Sequence, residues 1–184
     1  MVFFISAKAP WLFQHAMCAA AGRNRVLDVF ISHRGADRHT GTNGKKIFVS
    51  LLHARLQQAG IRSFLDESSL APGRKPWKTM LQAMRHCTIA TLVLSESYGN
   101  SVWCLRELTE MVKAKLYVMP LFLGENSPAA LTKMRARSCK LAGQAKPGEL
   151  QAWQEAIDVA GSGWMQHQTS GCAASMLVFA HPLA

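Results

Sequence analysis

Short apolar runs recur along the chain at LDVFIS (27–32), IRSFL (61–65), TIATLVLS (88–95) and LYVMPLF (116–122). Stretches with apolar residues at helical spacing separate them, and this alternation restricts the fold more than any other feature. Runs of this length, rich in Val, Ile, Leu and Phe and closed by polar loops, have the character of buried strands. Between the first two, Ile47, Phe48, Leu51, Leu52 and Leu56 mark a helix over 45–59, with Gly60 as its stop signal. After the turn-rich ESSLAPGRKP, residues Trp77, Met80, Leu81 and Met84 fall at i, i+3, i+4 and i+7 and mark a second. The run 101–113 is a third, and ELQAWQEAIDVA reads as a closing helix with Leu150, Trp153, Ile157 and Ala160 inward.

A strand that returns parallel to its predecessor needs a crossover, and a right-handed helical one is strongly favoured. The expected fold class is therefore α/β: an open, mainly parallel sheet with helices on both faces, and the flavodoxin-like order 2-1-3-4-5 is what the family resemblance given below implies. The fifth strand is not visible, because the pattern weakens after Phe122. With 184 residues, 49% of them apolar, the chain suits one domain. The charged, patterned part places that domain at 25–165, between an N-terminal extension, 1–24, and an apolar C-terminal tail, 166–184.

The formal charge of +10 should draw anions, but its sign does not choose among nucleotides, acidic protein surfaces and phospholipid. Five cysteines form no C-x-x-C pair and no zinc-ligand spacing, so the expectation is a reduced intracellular compartment and no bound metal. No run reaches the roughly 18 uninterrupted apolar residues of a membrane span, and no membrane association is expected. The first residues are apolar but lack the basic start of a secretory signal. A cytoplasmic location is the expectation, with nuclear placement and organelle targeting by the extension left open.

In an open parallel sheet, ligands sit beyond the carboxyl ends of the strands. SHRGAD, DESSLAPG and SESYGNSVW all follow strands, which brings His33, Arg34, Gly35, Asp66 and Ser95 to that end. Arg34 suits a diphosphate, or pairing with Asp37, and Gly35 permits close approach of backbone. Asp66 reads equally as a turn residue and as a cleft residue. Trp103 and Glu107 stand at i and i+4, one turn apart on one helical face. They fit either an indole and a carboxylate sharing a cleft, or a core tryptophan beside a solvated glutamate.

Taken in order, DVFISHRGAD, KKIFVSLLHARLQQAGIRSFLD, the D-x-x-x-L-x-x-G loop at Asp66, Leu70 and Gly73, LVLSESYGNSVWCLREL and VMPLF resemble plant Toll/interleukin-1 receptor-type (TIR) domains. The resemblance covers about 25–125, with AWQEAIDVAGSGW similar to the family's last helix. With no Walker A sequence and no recognisable leucine-rich repeats, the chain looks like a TIR-only protein. Many plant TIR domains are NAD hydrolases that work when assembled, releasing nicotinamide and ADP-ribose-type or cyclised products. The resemblance implies that Glu107, in W-C-L-x-E-L, is the catalytic glutamate. It places Trp103 in the substrate cleft beside the loop that begins at His33 and Arg34. It implies NAD as substrate with no separate cofactor, self-association with other TIR domains, and a role in plant immune signalling.

The chain departs from the family at His33, where many members carry an aromatic residue, and at Ser50-Leu51, where many carry a Ser-His pair used in self-association. RKPW after Gly73 is unusually basic, and LGENSPAALTKMRARSCK is shortened or divergent. The competing function is a non-catalytic adaptor that acts through TIR-TIR contacts. Nucleic-acid binding through the basic surface ranks below both. A phospho-acceptor domain would need an acidic cluster after the first strand, where SHRG stands.

Overall fold

The computed structural model describes residues 27–34, 43–65, 76–95, 97–122 and 127–169. The strands are β1 (Val29–His33), β2 (Ser63–Leu65), β3 (Ile89–Leu94) and β4 (Tyr117–Phe122). The helices are α1 (Asn43–Gln58), α2 (Pro76–His86), α3 (Val102–Lys113), α4 (Ser127–Lys140) and α5 (Glu149–Thr169). A single 3₁₀ turn, Tyr98–Asn100, joins β3 to α3. The four strands form one parallel sheet, as the alternation implies, in the order β2-β1-β3-β4 that the family resemblance implies, with β1 and β3 in the middle. No fifth strand occurs among the described residues.

Period-2 alternation sends neighbouring residues of β1 to opposite faces. Phe30 joins a large core with Leu92 of β3 and with Met80, Leu105, Leu108 and Trp153, supplied by α2, α3 and α5. Val29 and Ile31 face the other way, into a smaller cluster with Val49 of α1, Leu65 and Val93. Helices therefore cover both faces. The two sides are unequal, and α1 shows the consequence. Of its apolar residues Val49 is buried and Phe48, Leu52 and Leu56 are partly so, but Ile47 and Leu51 are 56% and 49% exposed. The apolar arc of α1 is wider than the strip of sheet beneath it.

Helix ends follow local chemistry. Gly60, at φ +76°, closes α1, with Gly60 N–H donating to Gln57 and Ile61 N–H to Leu56. Helix α3 starts at Ser101, whose hydroxyl accepts from Cys104 N–H at 3.3 Å. It ends in the same bonding pattern as α1, Lys115 N–H to Val112 and Leu116 N–H to Met111, but with Lys115 at φ 55° where glycine is the usual occupant. Asp28, just before β1, accepts from the backbone N–H and the guanidinium of Arg62, just before β2. Burial pushes its carboxyl up and these hydrogen bonds push it down, the net being below the ordinary value.

Helix α4 is the element that the sequence pattern left unassigned. Of its described side chains only Met134 and Ser138 are buried, with Ala130 and Leu131 partly so, which leaves a short apolar stripe to read. Inward Trp153, Ile157 and Ala160 of α5 are buried, as their spacing requires, and the helix runs past residue 165 to Thr169. Residues 1–26 and 170–184 lie outside the described residues, and with them almost all of the N-terminal extension and most of the tail. Among the described residues no helix is long and apolar enough to cross a membrane.

Candidate active site

Alternation along β1 also places Ser32 on the face of Phe30, toward α3. There it meets Glu107. Ser32 Oγ donates to Glu107 Oε2 at 2.5 Å and lies 2.7 Å from the hydroxyl of Tyr98, which in turn reaches the Cys104 carbonyl at 3.2 Å. All four residues are buried: Ser32 is 1% exposed, Tyr98 0%, Glu107 3% and Cys104 3%. Glu107 is therefore not on a solvated helix face. Its carboxylate sits at the carboxyl end of a central strand, inside the protein, at the meeting of β1, the 3₁₀ turn and α3.

A carboxylate removed from water costs free energy unless donors replace its hydration. Ser32 supplies one such donor. The neighbouring titratable groups keep their protons. Burial first, then the Cys104 and Glu107 charges, push the Tyr98 phenol well above its ordinary value. Burial first, then Glu107, push the Cys104 thiol up to about 12. Cys104 is thus a buried neutral thiol, directed at the His33 carbonyl 3.8 Å away, and not a nucleophile.

The two loops described beside this centre are fastened to each other. Arg34, part-buried just past β1, donates from Nη1 to the Ser97 carbonyl at 2.5 Å. Ser95, just past β3, accepts Tyr98 N–H on its carbonyl at 3.0 Å, and its hydroxyl lies 3.3 Å from that of Ser97. Gly99 is needed in this turn because a Cβ there would lie 2.9 Å from the Met134 carbonyl oxygen of α4. Packing against α4 thus fixes the turn that carries Tyr98.

Trp103 faces elsewhere. It is 40% exposed and packs at a steep angle against Trp77 of α2, ring centroids 5.0 Å apart and planes at 70°. The pair borders an open groove of about 620 Å³ between α2, α3 and the start of α5. Arg106, Lys113, Lys146 and Glu149 also line the groove, and Trp153 closes it; Glu107 does not line it. Arg106 holds Glu149 with two hydrogen bonds, at 2.5 and 3.0 Å. The structure thus brings His33, Arg34, Ser95 and Glu107 to one end of the sheet and directs Trp103 into the adjoining groove. Gly35 and Asp66 lie outside the described residues. Sequence reasoning missed Ser32 and Tyr98. The available signal was a polar residue two positions after Phe30 on a buried strand, on the same face.

Comparison with known proteins gives a consistent result. The TIR domain family model matches residues 29–157. A probable 2′ cyclic ADP-D-ribose synthase of Brachypodium distachyon, BdTIR, is 38% identical over 109 residues, covering 59% of this chain and 46% of the relative. The TMV resistance protein N of Nicotiana glutinosa is 34% identical over 99 residues, covering 52% of this chain and 8% of the relative. The chain thus spans less than half the length of these curated relatives. Among solved structures, the TIR domains of the activated Roq1 resistosome directly recognizing the pathogen effector XopQ superpose with a TM-score of 0.61 at 25% identity. That match covers 74% of this chain and 84% of the other.

Proposed function

The chain belongs to the TIR domain family, and on that footing we propose that it cleaves NAD between nicotinamide and ribose in plant immune signalling. In this reading, self-association completes a cleft at the carboxyl end of the sheet, in a cytoplasmic protein. The supporting observation is the position of Glu107: a carboxylate 3% exposed, held by Ser32 at the tip of a central strand. The names of relatives add a class of product, since one is named a probable 2′ cyclic ADP-D-ribose synthase.

The chemistry asks little of the protein beyond one carboxylate. When the C–N bond breaks, its electron pair returns to the pyridinium ring, so nicotinamide leaves neutral and needs no protonation. The ribosyl carbon becomes oxocarbenium-like, as in glycoside cleavage. A fixed negative charge in a water-poor site stabilises that centre more than it would in water. Glu107 then accepts the proton of the oxygen that attacks the ribosyl carbon. Attack by water yields ADP-ribose, and attack by a hydroxyl of the same molecule yields a cyclised product.

We assign substrate-binding roles to His33, Arg34, Gly35, Asp66 and Ser95, with the Arg34 guanidinium taking the diphosphate. Trp103, at the rim of the adjoining groove, offers its exposed ring to a planar base. Such stacking is worth on the order of 1–3 kcal/mol in nucleic-acid complexes. The test is nicotinamide release from NAD by the concentrated full chain, wild type against Glu107→Ala. Loss of release in the folded variant is expected; equal release from both rejects the assignment.

A further inference from the structure

The hydroxyls behind Glu107 form a chain whose direction can reverse. Ser32 and Tyr98 each carry one hydroxyl proton. While Glu107 is ionised, the Ser32 proton goes to Oε2, 2.5 Å away, so in the 2.7 Å contact with Tyr98 the phenol must be the donor. Once Glu107 is protonated, it can donate to Ser32 Oγ, Ser32 to Tyr98, and Tyr98 to the Cys104 carbonyl, 3.2 Å away. In that state every proton of the chain has an acceptor, and in both states the Glu107–Ser32 and Ser32–Tyr98 contacts are hydrogen bonds, whereas the contact of Tyr98 with the Cys104 carbonyl becomes one only on protonation. Were the donor facing Oε2 a fixed N–H, a proton on that oxygen would find no acceptor there, at the usual cost of an unsatisfied buried group.

We propose that Ser32 and Tyr98 are positioning residues that hold Glu107 for proton uptake by reversing their hydroxyl bonds, a role that rests on the NAD-cleaving reading above. They come from different segments, β1 and the 3₁₀ turn, and neither belongs to the helix that carries Glu107. Gly99 and its close approach to Met134 keep Tyr98 in reach. Among the described residues, the titratable and charged groups beside Glu107 include Tyr98 from the turn, Cys104 from its own helix, and His33 and Arg34 from the end of β1, the Arg34 charge acting on Cys104.

The experiment measures nicotinamide release against pH for wild type, Glu107→Ala, Ser32→Ala, Ser32→Thr and Tyr98→Phe, each first shown to be folded by thermal melting. Ser32→Ala removes the donor to the ionised form. It should lower kcat about ten- to a hundredfold, the range for a hydrogen bond to a charge, with KM little changed. The acid limb of the profile should move up by about one unit, since ionised Glu107 is the active form. Tyr98→Phe should lower kcat by about threefold to tenfold. Ser32→Thr keeps the hydroxyl and should recover most of the activity and the wild-type limb.

If Glu107→Ala releases nicotinamide as wild type does, the NAD reading fails and this role fails with it. Should Glu107→Ala be inactive while Ser32→Ala keeps the wild-type kcat, or loses it without movement of the acid limb, only the positioning role is overturned. Where Ser32→Ala is too slow to titrate, Ser32→Thr decides. Recovery supports the role, and a folded, equally slow threonine variant overturns it.

Discussion

Two carboxylates meet at α3, its own Glu107 and Glu149 from the start of α5, and the protein holds them by different means. Glu149 borders an open groove and is gripped by the two-pronged Arg106 guanidinium, which brings its carboxyl down to about 2. A group held so low stays ionised at any ordinary pH and takes up no proton. Glu107 is sunk 3% exposed among hydroxyls that keep their own protons. A part-buried ion pair at the edge of an open groove is a modest contribution to stability. A carboxylate taken out of water is a cost to the fold, and its return is reactivity. In the proposed reading, α3 thus meets a structural charge on its wet side and carries a chemical one on its dry side.

The largest effect that can break this contrast is on turnover. Glu107→Ala should reduce nicotinamide release by at least about a hundredfold, the lower range for removing an acid–base group. In the same assay Glu149→Ala should stay within about twofold, the small change expected for a part-buried pair at a groove edge. Comparable losses from the two would erase the distinction. Next comes the turn behind the dry site. Gly99→Ala forces a methyl group onto backbone of α4 and should cost about 1–3 kcal/mol in urea unfolding, as overpacking does. It should also lower turnover by displacing Tyr98.

The wet carboxylate predicts a smaller effect with a definite pH window. The folded value of Glu149 lies below its ordinary 4.5, so its contribution is present above pH 4.5 and is lost as pH falls toward about 2. Wild type should exceed Glu149→Gln in stability by about 0.2–1 kcal/mol at neutral pH, the range for surface pairs, and the gap should close across that window. An acid titration of urea midpoints measures it. The smallest effect concerns the end of α3, the helix that both carboxylates share. Lys115 sits at φ 55°, a conformation costing an L-residue roughly 1–2 kcal/mol. Lys115→Gly should therefore gain about 0.5 kcal/mol, because added chain entropy offsets part of the relief.

Legibility differed along the chain for physical reasons. Strands β1, β3 and β4 are near-continuous apolar runs because parallel strands are covered on both faces. Helices α2, α3 and α5 each carry a stripe that packs on the large core. Helix α1 was legible as a helix, yet Ile47 and Leu51 lie outward, since spacing reports an arc and not how much of it finds cover. Helix α4 left little trace because it meets the core through Met134, with Ala130 and Leu131 only partly buried. At the site, Glu107 could be picked from its motif. For Ser32 the strand period gives the face but not the partner, because a contact across 75 positions has no local period. Trp103 and Glu107 share a turn in projection, but the indole follows Trp77 while the carboxylate follows β1. Helical spacing sets neighbours within a helix; what each side chain turns toward is decided by the elements packed beside it.

The steeply crossed indoles of Trp77 and Trp103 form a coupled pair of chromophores where α2 meets α3. Near-ultraviolet circular dichroism should carry their exciton signature and lose it in Trp77→Phe. The protein therefore brings its own unlabelled optical gauge of whether that junction shifts when copies assemble or a nucleotide arrives.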